Sequence, residues 1–150
     1  MVDAAIFENN SAFGIGLVAR DSAGGLLQAR TKKFQGQARA EFAEAIAIKE
    51  ALSWCMCSSW SSVIIESDCL VVVQAIRSST PMLSHFGGVI EECRKVLKEN
   101  NNFQLYFIKR SANMAAHELA RASYSFPDRI FDRGTVPIEV DKCIVADLMS

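Results

Sequence analysis

The sequence predicts an α/β domain, a mixed sheet of five strands with helices packed on it, rather than an all-parallel doubly wound fold. Three observations carry this. Three strand-like segments come first and follow one another across short turns, an arrangement that fits an antiparallel meander. The later strand-like segments alternate with helical ones, so helices must pack on the sheet. Finally, 50% of the 150 residues are apolar, enough for one domain with a sizeable core.

The first strand is residues 2–7 (VDAAIF), followed by the polar turn Glu8-Asn9-Asn10-Ser11. Residues 13–19 (FGIGLVA) alternate glycine with large apolar side chains, so Gly14 and Gly16 mark the close approach of another backbone. The turn RDSAGG leads into a third strand over residues 26–34, with Lys32 and Lys33 towards its end. A long helix over residues 39–56 and a short buried strand over 62–66 come next. A helix over residues 70–77 is stopped by Ser78-Ser79-Thr80-Pro81. Phe86, Val89, Ile90, Cys93, Val96 and Leu97 recur at helical spacing within residues 85–98. Residues 103–108 form the fifth strand. Ser111-Ala112-Asn113 then opens a last helix through Tyr124, with Asn113 as its cap. Beyond residue 126 the signals weaken. Phe131, Val136, Ile138, Val140 and Ile144 are apolar enough to dock, but acids and prolines interrupt them. Residues 127–150 are therefore expected to be a partly ordered tail on a domain spanning 1–126.

Formal net charge is −1, so any nucleic-acid binding would rest on local basic residues or bound cations rather than on bulk charge. The five cysteines are an odd number without a regular framework, and Cys55-Met56-Cys57 is too close for a CxxC pair. Reduced thiols in an intracellular protein, nuclear or cytoplasmic, are expected, and no zinc site. No apolar run spans a bilayer, and the first residues carry an acid where a secretory signal carries a basic region. A strand beginning almost at Met1 suggests a domain cut from a longer chain.

Glu44 is the odd residue of the long helix. Its face holds Ala40, Ala47, Ile48, Ala51 and Cys55, where a lone carboxylate costs several kcal/mol (order of magnitude) unless paired or holding a cation. Asp68 closes the strand Val63-Ile64-Ile65. Two acids carried by a buried helix and a buried strand point to a shared site. Other charged and aromatic residues have simpler readings. Glu41 complements the helix dipole, Glu66 is a strand-end charge, and Trp54 and Trp60 pack.

Several motifs resemble the ribonuclease H family. They are Val2-Asp3, Gly14-Ile15-Gly16 with Val18-Ala19-Arg20-Asp21, Ala43-Glu44-Ala45 with Ala51-Leu52, and Glu66-Ser67-Asp68. Arg110, Asn113 and Ala116-x-x-Leu119-Ala120 follow. The chain looks most like the plant branch associated with reverse transcriptases in non-LTR retrotransposons and derived host genes. The spacing from Glu44 to Asp68 fits the family pattern better than that from Glu41. The resemblance implies a ribonuclease H-like fold in which the fourth and fifth strands are parallel. It also implies hydrolysis of the RNA strand of an RNA/DNA hybrid with two Mg²⁺ ions, beside a reverse transcriptase domain of the same polyprotein. Asp3, Glu44 and Asp68 would hold the cations. Backbone amides near Gly14 and Gly16, with Asn9, Asn10 and Asn113, would read 2′-hydroxyls and phosphates.

Some positions depart from the family. Its fourth acid falls on His117, which as a catalytic and metal-site residue suits Mn²⁺ better than Mg²⁺ and predicts a weaker second site. Ala4 replaces the usual glycine after the first acid. The short loop over residues 109–113 lacks the histidine some relatives use near product release, and Lys109 or Arg110 would stand in for it only in part. No basic helical protrusion is present. The alternative expectation is a derived module of the same fold, weak or inactive in catalysis, that binds nucleic acid or a protein partner.

Overall fold

Short polar turns require the first strands to pair antiparallel. In the computed structural model, which describes residues 1–149, β1 (Val2–Phe7), β2 (Ala12–Arg20) and β3 (Leu26–Gln35) do so. Asp3 lies opposite Gly16, and Gly16 opposite Thr31. The chain continues through α1 (Ala40–Cys57), β4 (Val63–Ser67), α2 (Leu70–Arg77), α3 (His85–Glu99), β5 (Phe103–Phe107) and α4 (Met114–Ala122). β4 runs parallel to both β1 and β5, so the sheet is mixed as expected.

Two further elements change the expected count. β6 (Asp128–Phe131) pairs antiparallel with β3, and α5 (Ile138–Leu148) follows it. The sheet therefore has six strands rather than five, in the order β5-β4-β1-β2-β3-β6. Among the described residues, the segment expected to be a partly ordered tail carries β6 and α5; Ser150 lies outside them.

The two faces of the sheet hold separate cores, because successive residues of a strand point to opposite sides. Ile15 and Leu17 pack with α1, α2 and α3, whereas Val18 packs with α4, Phe131 and α5. Ala43, Ala45, Ala47 and Ala51 are buried in α1, and such small side chains let a helix lie close to the strands. The strand expected to be wholly buried is only half so, since Ile64 is exposed on the face of β4 away from Ile65.

α4 starts and stops inside the bounds expected for the helix after the fifth strand and is preceded by a 3-10 turn at Arg110–Ala112. Asn113 does not cap it with its side chain. Its buried amide Nδ2 instead donates to the Val2 carbonyl at 2.8 Å. Among the described residues, no helix is long and apolar enough to cross a membrane.

Candidate metal centre

The site arises where two parallel strands separate. β1 and β4 pair at one position only, Val2 with Ser67. The residue after each is an acid, Asp3 on β1 and Asp68 just past the end of β4. The N–H of Ala4, beyond that last pair, donates instead to Glu44 Oε1 at 2.9 Å. That bond draws the α1 carboxylate into the gap. Asp3, Glu44 and Asp68 each offer an oxygen there, and these oxygens lie within 4.8 Å of one another.

Little water reaches them. Asp3 is 0% exposed, Glu44 7%, and the Asp68 side chain 5%. Asp3 Oδ1, Glu44 Oε2 and Asp68 Oδ2 are buried without a hydrogen-bond partner. Three such carboxylates repel one another, and the arrangement has two remedies. One is a proton. Burial, then the hydrogen bond and charge of Asp3, push the Glu44 carboxyl up to about 10, against the opposing pull of the Ala4 N–H. Asp68 is also raised, by burial and then by Asp3, with Asn113, Arg110 and His117 pulling the other way. The other remedy is a divalent cation. An all-carboxylate donor set suits a hard ion such as Mg²⁺ or Mn²⁺. The unpartnered oxygens fit such an ion.

His117 stands beside this group but not in it. Its Nδ1 is 2.9 Å from Asp3 Oδ2, and its side chain is 21% exposed. Among the described residues, the converging ligand atoms belong to the three acids alone. Arg110 Nε lies 3.4 Å from Asp68 Oδ2, an ion pair without hydrogen-bond alignment, and 60% of the Arg110 side chain is exposed.

The residues expected to touch nucleic acid divide into two groups. Asn9 and Asn10 are exposed on a 3-10 turn at the far end of β1, where Asn10 Nδ2 donates to the Tyr124 hydroxyl at 2.8 Å. Lys33 Nζ sits 4.2 Å over the same ring. That grouping of Asn10, Lys33 and Tyr124 was not legible in the sequence, because its members are scattered along the chain.

Gly14 and Gly16 do not present free amides. β2 is paired on both sides, so its backbone groups are directed to β1 and β3. A Cβ at Gly16 would stand 2.4 Å from the Ala120 nitrogen and 2.7 Å from the Ala116 carbonyl oxygen. Gly16 is there because α4 lies against the strand, and at Gly14 the Ser123 side chain occupies the place of a Cβ. Asn113 is wholly buried and tied to Val2, which removes it from the surface as well. Asp68 does not cap α2; the N-cap is Cys69, whose N–H donates to Ser67 Oγ at 3.1 Å.

Comparison with known proteins agrees with this fold. A family model described as reverse transcriptase-like matches residues 1–123. No curated protein matches the chain. Among solved structures, RNase H1 from the halophilic archaeon Halobacterium salinarum is similar over 83% of this chain and 95% of its own, with 18% identity and a TM-score of 0.73. LC11-RNase H1, isolated from compost and solved in complex with an RNA/DNA hybrid, covers 80% of this chain and 91% of its own, with 20% identity and a TM-score of 0.67. The foamy viral protease-reverse transcriptase, also solved with an RNA/DNA hybrid, covers 83% of this chain but 19% of its own, with 17% identity and a TM-score of 0.68. At these identities the likeness is one of fold, the α/β ribonuclease H-like fold.

Proposed function

The chain belongs to the reverse transcriptase-like family and is an RNase H-like domain, and from that premise we propose that it is a cation-dependent endonuclease cutting the RNA strand of RNA/DNA hybrids. We place it in the plant non-LTR retrotransposon branch, working beside a reverse transcriptase domain of the same polyprotein. The observation that carries the reading is the convergence of Asp3, Glu44 and Asp68 within 4.8 Å, each with a buried oxygen that accepts no hydrogen bond. Two proteins of similar fold having been solved with RNA/DNA hybrids supports the substrate class.

Asp3, Glu44 and Asp68 would hold the cation, Mg²⁺ or in its place Mn²⁺. When bound, divalent ions of this kind make a better nucleophile of water and offset charge growing on a phosphodiester. The chain's own groups do the rest. β1 holds Asp3 and the end of β4 holds Asp68, and the Ala4 N–H holds Glu44 Oε1 while Oε2 stays buried without a hydrogen bond. Arg110 keeps most of its side chain in solvent beside Asp68, where its guanidinium would hold a backbone phosphate. Asn9 and Asn10 supply exposed amides suited to ribose hydroxyls.

A second reading, a catalytically weak module that binds nucleic acid or a protein, is favoured by His117 lying outside the converging oxygens. A labelled hybrid incubated with Mg²⁺ and then Mn²⁺ separates the two. Cleavage of the RNA strand but not the DNA strand, abolished by Asp68→Asn, is expected. No cleavage with either metal would leave the binding module as the better account. Cleavage that survives Asp68→Asn would place the chemistry elsewhere.

A further inference from the structure

We propose that His117 acts on Asp3 rather than on the cation, as a positioning residue whose Nδ1 fixes the Asp3 carboxylate with Oδ1 left to the metal site. Its place in catalysis rests on the nuclease reading above; its geometry does not.

α4 lies so close to β2 that nothing larger than glycine fits at Gly16, which is directly across from Asp3 in the sheet. Ala116, Leu119 and Ala120 are wholly buried in that contact. Asn113 and His117 are one helical turn apart, so they lie on the same side of the helix end. They grip consecutive residues of β1. Asn113 Nδ2 donates to the Val2 carbonyl at 2.8 Å, and His117 Nδ1 lies 2.9 Å from the Asp3 carboxylate.

A carboxylate that ligates a cation does so as its anion and only accepts hydrogen bonds, so beside a metal-bound Asp3 this contact needs its proton on Nδ1, which then cannot itself ligate. The remaining nitrogen, Nε2, does not join the oxygens of the three acids within 4.8 Å of one another. Asp3 is thereby left with one oxygen, Oδ1, buried and without a partner. Holding a ligand by its non-ligating atom keeps a site in shape before the ion arrives, and losing such a partner typically weakens metal binding about 10–100-fold.

Two variants of similar polarity distinguish the roles. The amide nitrogen of asparagine can stand where Nδ1 stands, whereas that of glutamine reaches towards Nε2. Mn²⁺ affinity measured by electron paramagnetic resonance, without nucleic acid, should fall about 10-fold or more in His117→Ala and His117→Gln. His117→Asn should retain most of it. In the ¹⁵N spectrum of the wild type, Nδ1 should carry the proton, and Mg²⁺ should leave the Nε2 resonance in place. Binding kept by His117→Gln and lost by His117→Asn would overturn the proposal. So would movement of the Nε2 resonance into the metal-coordinated range, or a wild-type chain that takes up no Mn²⁺. Because none of these measurements depends on cleavage, a failed nuclease assay and a failed positioning role give different results.

Discussion

Glu44 Oε1 accepts the backbone N–H of Ala4 at 2.9 Å, joining the first turns of α1 to β1 at the point where β1 and β4 separate. The bond fixes where the Glu44 carboxyl sits while its other oxygen goes unpaired. Without a cation the group is held neutral, pushed up to about 10, chiefly by burial.

The sign of the resulting pH dependence follows from that direction. A carboxyl whose folded-state value is raised stabilises the fold fully below its ordinary value, and that contribution is lost as pH rises towards the raised one. In the absence of divalent ions, Glu44→Gln should therefore match the wild type near pH 4.5. By pH 8.5 it should be more stable by an amount on the order of 5 kcal/mol. Thermal unfolding of both proteins across that range checks this, and a gap independent of pH would contradict it.

Cation binding at neutral pH should displace the Glu44 proton, since a carboxyl ligates as its anion. Titration calorimetry with Mg²⁺ in two buffers of different ionisation enthalpy should give release of about one proton per chain. Glu44→Gln should release none. Identical heats in the two buffers for the wild type would contradict the account.

Gly16→Ala should push α4 off β2, because the new methyl would meet the backbone of Ala116 and Ala120. A loss of about 1–3 kcal/mol in urea unfolding is expected. Since α4 also carries His117, Mn²⁺ affinity should fall with it. A variant as stable as the wild type would mean that the helix yields easily.

How much of this was legible beforehand depended on whether the signal was local. The meander showed in the spacing of its turns, and of the two glycines of β2, Gly16 correctly marked a backbone contact while Gly14 faces the Ser123 side chain. Glu44 declared itself as a charge on an otherwise apolar helix face. The partners of Asn113, Gly14 and Gly16 were not legible, because each is set by α4 crossing the sheet rather than by neighbours in the chain. β6 escaped for a different reason. It is four residues long, three of them exposed, and only the buried Phe131 marks it as part of a core.

Phe131→Ala tests whether that late strand belongs to the domain. Phe131 packs with Phe126, Val140 and Ile144 under α4 and is buried. The variant should lose about 3–5 kcal/mol in urea unfolding. A loss below about 1 kcal/mol would return residues 127–149 to the status of an accessory tail.

The central claim is that these acids were brought together to hold a metal ion. Anomalous diffraction from crystals soaked in Mn²⁺ tests it most directly. The account predicts a peak bonded to oxygens of Asp3, Glu44 and Asp68, with His117 against Asp3 and outside the coordination. Soaked crystals with no peak among these three carboxylates, or with Mn²⁺ bound elsewhere, would contradict it.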